Sequence, residues 1–493
     1  MLSTRLIKII AFSLGLFLSG NALSQIVINE YSCSNSNGLT DAFGEREDWI
    51  ELYNGTGAAV DISGFYLSDK SGNLLKWEVP AGVSVPANGY TMVHASKRDL
   101  VSGAELHPNF SLTQTKGEWI ILANNLGNVI DSLKIVHMTK NDHAVGRSTD
   151  GAADWKLFTT PTPNAANTGA QPFYTPTPVM DIAPGFYPGA QTVTITCPEL
   201  GATIRYTIDG STPTAASPVY AGPINVATTT VVRAQAYGVN LPSFNETNTY
   251  FINVTHPIPV VSISSNEIFD LIANGNQAGG NKLGSFEMFE QDGTFIDEAE
   301  SDFNKHGNDS WAYDQRGFDL IMRDQYGENS DVEHQVFPEK SRDEFQRLIF
   351  KAAASDNYPF ENGAHIRDAF VHTLSMKADM KLDERTWRPC VVYLNGQYWG
   401  VYEIREKVDD TDFTDYYYDQ GKYDLQFLKT WGATWSEFGG AQSQTDWDDL
   451  VAYILSNDLS IPANFDYVDS QLNWQSLCDY FMFNSYIVSQ DWL

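Results

Sequence analysis

Apolar and polar positions change rhythm twice along this chain. Between residues 26 and 169 the apolar residues come in short runs: Ile26-Val27-Ile28, Trp49-Ile50-Glu51-Leu52-Tyr53 and Trp119-Ile120-Ile121-Leu122. Gly and Asn turn formers separate them. Runs of this kind predict strands. No helical period of useful length interrupts them, so an all-β sandwich is expected. A Pro-rich spacer at 170–178 is expected to be extended. Residues 179–254 alternate again, in Val193-Thr194-Ile195-Thr196 and in Ile204-Arg205-Tyr206-Thr207-Ile208, which runs into an Asp209-Gly210 turn. From 255 to 493 the pattern mixes. Ile366 to Leu374 and Leu472 to Asp491 have helical spacing, and Val391-Val392-Tyr393-Leu394 reads as a strand between them, which predicts an α+β unit. The stretch from Trp474 to Val488 is apolar nearly all round, which predicts a buried helix. Asn395-Gly396 between two apolar strands predicts a hairpin, with Asn395 turning the chain.

Ahead of these regions, Arg5 and Lys8 precede the apolar run Ile9 to Leu18, and Ala22-Leu23-Ser24 supplies small residues at −3 and −1. This is the pattern of a secretory leader, 1–24, cleaved before Gln25. No other apolar run approaches the length of a membrane span. The expectation is therefore a secreted or cell-surface protein without a transmembrane segment. A length of 493 residues implies several domains. The net charge of −31 is uneven: 12 Lys/Arg against 20 Asp/Glu in 26–254, but 17 against 42 in 255–493. Such a surface repels nucleic acid, so no nucleic-acid partner is expected. It would also need metal ions to receive a nucleotide's phosphates. Cys33, Cys197, Cys390 and Cys478 stand singly, which gives no support to a zinc site or a disulfide framework and makes buried thiols the default.

Common enzyme signatures are absent: there is no Gly-x-Ser-x-Gly, His-Glu-x-x-His or Walker loop. The Gly-rich stretch 275–282 reads as a loop. Asp409-Asp410-Thr411-Asp412 reads as a solvated turn, since it lacks the Gly and the closing Glu of a calcium loop. Arg405-Glu406-Lys407, at the end of a strand, fits a surface ion pair and a phosphate site equally.

Several motifs carry resemblances. Ile28-Asn29-Glu30-Tyr31, Asp48 to Asn54, Val60 to Asp69, Gly146-Arg147-Ser148 and Trp155 with Thr162-Pro163-Asn164 resemble the bacterial lamin-tail domain, over 26–169. Tyr206 to Thr214, with Tyr220, Pro223-Ile224 and Val232 to Ala236, resembles the chitobiase/β-hexosaminidase C-terminal domain, over 179–254. Gly-x-Tyr-x-x-Arg-Glu around residue 400 and the closing Asp491-Trp492 resemble the CotH family of spore-coat-type secreted kinases, over 255–493. The resemblances imply two immunoglobulin-like sandwiches followed by an incomplete, atypical kinase-like α+β domain. They imply phosphate transfer from ATP, with Mg²⁺ or Mn²⁺, to an extracellular or surface protein. The β modules would dock on glycan or matrix. Asp491 would be catalytic, and Arg316, Arg405 and Glu406 would bind nucleotide. Arg316 stands near the place of a family lysine, with Lys340 and Lys351 as nearby alternatives; Arg367-Asp368 fits a recurring pair read as structural. The family's metal-binding Trp-Asp-x-Asp is expected beyond Leu493, so the chain would end inside its catalytic centre. The alternative is a non-catalytic surface or matrix protein with a degenerate kinase-like domain. Glycan hydrolysis rests only on the company that the middle module keeps.

Overall fold

The computed structural model describes residues 26–356 and 363–489. The leader read at 1–24 and Asp491 lie outside the described residues.

Residues 26–158 form two layers. One sheet runs Trp155–Phe158, Ala144–Arg147, Ile26–Ser32, Trp49–Asn54, Gly89–His94, Glu105–His107, Leu100–Ser102; the other runs Val129–Lys134, Trp119–Ala123, Tyr66–Ser68, Trp77–Glu78. Ile28, Ile50, Leu52 and Val93 of the first share one core with Leu67, Trp77, Ile120 and Leu122 of the second. The short apolar runs thus become strands that bury one face each. A second, smaller β region has a four-stranded sheet, Gly185–Tyr187, Asn245–Ile252, Thr230–Tyr237, Thr203–Thr207, over a core of Val193, Ile195, Val232, Ala234 and Tyr250.

The remainder holds a closed seven-stranded barrel. Its strands are β1 (Val260–Ser264), β2 (Lys282–Phe289), β3 (Phe295–Lys305), β4 (Phe318–Met322), β5 (Arg347–Lys351), β6 (Trp387–Leu394) and β7 (Gln397–Glu406). They pair in the order β1-β2-β3-β4-β5-β7-β6, and β6 closes on β1 in parallel, Val391 beside Val260. Alternation sorts the side chains. Phe286, Met288, Leu320, Leu348, Phe350, Val392, Tyr402 and Ile404 form the core. The opposite parity faces outward and is covered twice. Phe251 of the second β region packs on Val260, Phe289, Val391 and Tyr393. On the other side lies helix α2 (Arg367–Lys377), whose Thr373 hydroxyl accepts from Trp387 Nε1. The expected α+β unit therefore contains a barrel, which no local run announces. The β6–β7 hairpin turns at Asn395 and Gly396, whose φ values of 50° and 76° suit a tight turn between Leu394 and its partner Gln397.

The helices are α1 (Asn266–Ile272), α2 (Arg367–Lys377), α3 (Thr411–Tyr418), α4 (Gly440–Ser456), α5 (Pro462–Gln471) and α6 (Trp474–Tyr486). Helix α6 departs from the expectation of a buried helix. Only Phe483 is buried, while Trp474, Leu477, Tyr480, Phe481, Met482 and Tyr486 are exposed. Apolar periodicity shows that a face can be covered, and among the described residues nothing covers this one. Cys33 and Cys390 are buried thiols as expected, Cys197 is half-buried and Cys478 on α6 is exposed.

Candidate functional site

Strand β5 alternates, so Leu348 and Phe350 enter the core while Lys351 ends the strand on the outer face. Lys351 stands directly across from Glu403 of β7, and Ile349 across from Arg405. Glu403 and Arg405 therefore share that face. Arg405 Nε donates to Glu403 Oε2 at 2.9 Å, and its Nη1 lies 3.4 Å from Asp368 Oδ2. Asp368 also takes Lys351 as an ion partner. Asp368 sits in the first turn of α2, where the helix dipole favours a carboxylate. The start of α2 is fixed by Asp356, whose Oδ2 accepts from the backbone N–H of Ile366 at 2.8 Å and Arg367 at 2.7 Å. Helix α2 is docked by Thr373, whose hydroxyl accepts from Trp387 Nε1 at 2.8 Å.

Three further cations adjoin this group. Lys407 Nζ lies 3.3 Å, Lys429 Nζ 2.7 Å and Arg385 Nη2 3.7 Å from Asp409. Burial opposes the charge on Asp409, but Lys407, Lys429 and Arg385 hold its carboxyl well below the usual range. Burial, and then the charge of Arg405, lowers the Lys351 ammonium to about 8. Burial together with Arg405, Arg385 and Lys351 pushes His372 of α2 down to about 3, so its imidazole is neutral at physiological pH. Five cations thus stand on this patch of a domain with a large acidic excess, each beside a carboxylate: Lys351 and Arg405 on Asp368 and Glu403, and Arg385, Lys407 and Lys429 on Asp409.

Of the four site residues read from the sequence, the three that are described, Arg316, Arg405 and Glu406, are not brought together. Arg405 is at the centre of the patch. Glu406, one position on, points to the opposite side by strand alternation: it is buried, accepts from Tyr417 Oη at 3.1 Å and faces Arg342 Nη1 at 3.5 Å. Burial raises its pKa. Arg316 donates through Nη1 to the backbone carbonyls of Ile272 and Ala273 at 2.9 and 3.0 Å, tying down the end of α1. Asp491 lies outside the described residues. Lys351, named in the sequence as an alternative, and Asp368, read there as structural, are the pair that the fold assembles. Arg385 and His372 were not read at all. The signal that could have found the pair is a strand ending in lysine, followed by a helix with an acid in its first turn.

Asp409, Asp410 and Asp412 do not form the expected solvated turn. Asp410 is buried, caps α3 by accepting from the N–H of Asp412 at 3.1 Å, and pairs with Arg347 at 2.8 Å; Asp412 pairs with Arg342. Each carboxylate has a cation from a distant strand or loop, which sequence proximity does not show.

Asp368, Glu403, Asp409 and Asp319 are each already paired with Lys, Arg or His. They balance charge and are not a free ligand set for a divalent metal. Elsewhere, Asp331, Glu333 and Glu344 bring ligand atoms within 4.8 Å of one another. The Lys116 ammonium already lies 3.0 Å from Asp331 and 3.1 Å from Glu344. The carboxylates described at the patch therefore do not offer a free ligand set for a divalent metal.

Among the described residues no helix is long and apolar enough to cross a membrane. Comparison with curated proteins gave no match. Comparison with family models gave three. Residues 182–243 match the chitobiase/beta-hexosaminidase C-terminal domain, whose segment contains the strands Thr203–Thr207 and Thr230–Tyr237. The CotH kinase protein model matches 303–493, so β1 and β2 of the barrel precede the match. Residues 19–137 match the lamin tail domain, ahead of the strands Ala144–Arg147 and Trp155–Phe158 that complete its larger sheet. In chain order, the protein thus carries segments matching a lamin tail domain, a chitobiase/beta-hexosaminidase C-terminal domain and a CotH kinase domain.

Proposed function

We propose that this protein is a secreted, kinase-like transferase that moves phosphate from ATP to extracellular or surface proteins. The observation that carries the reading is the Lys351–Asp368 pair, strand to helix, beside Arg405 and Arg385. In protein kinases a strand lysine held by a helix carboxylate aligns the phosphates. Here Lys351 and Arg405 would face the phosphates, with Asp368 and Glu403 fixing their side chains. A groove of about 500 Å³ beside α2, lined by Met376, Trp387 and Pro389 with Thr373 and Lys377, supplies apolar walls suited to a nucleotide base. Mg²⁺ or Mn²⁺ accompanying ATP would be held by groups other than the paired carboxylates of the patch. Asp491 would accept the proton of the acceptor hydroxyl.

The test is titration of the full chain with a fluorescent ATP analogue in Mg²⁺ or Mn²⁺, together with a phosphate-transfer assay. Lys351→Met should weaken nucleotide binding while the melting transition persists. Asp491→Asn should keep binding and lose transfer by ~10²-fold or more, the scale of removing a proton acceptor. Wild-type protein that binds no nucleotide would overturn the reading. It would favour instead a non-catalytic binding protein, a reading supported by the way Glu403 and Asp368 already satisfy Arg405.

A further inference from the structure

Besides its contacts through Gln114 and Lys116, the lamin tail domain touches the kinase-like region at the segment that follows Arg405-Glu406. Arg98 lies between two aromatic rings, with its guanidinium carbon 3.9 Å from the Phe43 ring centre and 4.0 Å from that of Tyr423. Tyr423 donates its hydroxyl to Glu47 Oε1 at 2.8 Å, Lys422 pairs with Glu45 and Glu47, and Lys97 Nζ lies 3.6 Å from Asp415. Phe43, Glu45, Glu47, Lys97 and Arg98 belong to the lamin tail domain; Asp415 is on α3, and Lys422 and Tyr423 follow it. Helix α3 then grips the barrel from its other side. Asp412 pairs with Arg342, and Tyr417 donates to Glu406, the residue next to Arg405. A continuous chain of contacts therefore runs from Arg98 through Tyr423 and α3 to Glu406, and along the β7 backbone to Arg405.

We infer that the lamin tail domain is a positioning part of the phosphate site, holding α3 and through it the end of β7, rather than only a tether for docking. This rests on the nucleotide reading given above. Cation–π stacking of a guanidinium between two rings orders both partners, and an arginine so placed fixes the approach of the two domains. The positioning residues are Arg98, Glu47 and Tyr423; none of them reaches the patch itself.

The experiment uses the full chain and four variants: Arg98→Ala, Glu47→Gln, Tyr423→Ala and the conservative Tyr423→Phe, which keeps the ring under Arg98. Amide exchange over 411–423 and affinity for a fluorescent ATP analogue in Mg²⁺ are measured on each. The expected result is faster exchange in α3 and about tenfold weaker affinity for Arg98→Ala and Tyr423→Ala, a typical coupling between sites. Tyr423→Phe should recover most of both. Should an alanine variant fail to fold, Glu47→Gln carries the same test, since it removes only contacts at the rim. Faster exchange with unchanged affinity overturns the inference, and so does unchanged exchange. Wild type that binds no nucleotide overturns the function itself, which is a separate result from wild type that binds and variants that bind equally well.

Discussion

The two β domains meet the barrel in opposite ways. At the chitobiase-like junction the contacts are buried. Arg233 pairs with Glu300 and donates to the Ser264 carbonyl at 3.2 Å; Thr249 gives its N–H to Glu287 at 2.8 Å; Phe251 lies among Val260, Phe289, Val391 and Tyr393. At the lamin-tail junction most ion pairs lie at the rim, with Lys422 and Lys97 about half exposed; Gln114 adds buried contacts, its N–H donating to Asp324 Oδ2 and its Nε2 to the Asp324 carbonyl, both at 2.7 Å. The first junction is built like a domain core and the second like an interface between proteins. The chitobiase-like domain and the barrel should therefore unfold together. The lamin tail domain can loosen separately, which is what a positioning contact requires.

The largest expected effect lies in the buried junction. Arg233→Ala leaves Glu300 buried without its cation, and should cost about 3–5 kcal/mol in urea unfolding. A single merged transition that splits in two would break the comparison. Gly327, at φ 103°, packs against Phe244, and an added methyl would overlap that ring. Gly327→Ala should cost about 1–3 kcal/mol by the same measurement.

The third effect is a pH dependence. Burial raises Glu246 and Glu298 to about 7 and Glu287 to about 8. A carboxyl raised in the folded state favours folding most below its ordinary value, where both states are protonated. Its contribution is lost as pH climbs from about 4.5 through about 8, because the unfolded chain releases the proton first. The unfolding midpoint of the merged unit should therefore fall between pH 5 and pH 8.5, and Glu287→Gln should flatten part of that slope. An unchanged midpoint would mean that the junction admits water. The smallest effect is at the rim: Lys422→Ala should cost no more than about 1 kcal/mol, and less in high salt.

What the sequence revealed follows from distance along the chain. The strand runs of the first region and the Asn395-Gly396 turn are local, and the fold contains them as read; in the second region the run at 203–207 is a strand, but the run at 193–196 breaks at Thr194 into two strands with different partners. Barrel closure is not local, because Val260 and Val391 carry no mutual mark in the sequence. Arg405 was legible through a motif, whereas Lys351 and Asp368 meet only because a strand and a helix pack together. Arg316 lies apart from Arg405 and caps the carbonyls of Ile272 and Ala273, a contact that the sequence does not mark. The short acidic run at 409–412 looked solvated because its cations come from elsewhere, Arg342 and Arg347 before it and Lys429 beyond it. Helix α6 shows the converse error, in which pattern was taken for burial.

The parallel pairing of β1 with β6 also sets an order of events in biosynthesis. Strand β1 leaves the ribosome about 130 positions before its partner, a delay on the order of ten seconds at ordinary rates of synthesis. Throughout that interval the edge of β1 that β6 will take has no partner, and Phe251 lacks the Val391 and Tyr393 that complete its seat. Such long-range closure is slow and leaves strand edges open to other chains. The lamin tail domain, whose larger sheet is complete by Phe158, can fold well before. The nascent chain would then carry one finished domain ahead of an unfinished barrel, and the barrel, not the lamin tail, is where a holding chaperone would be needed.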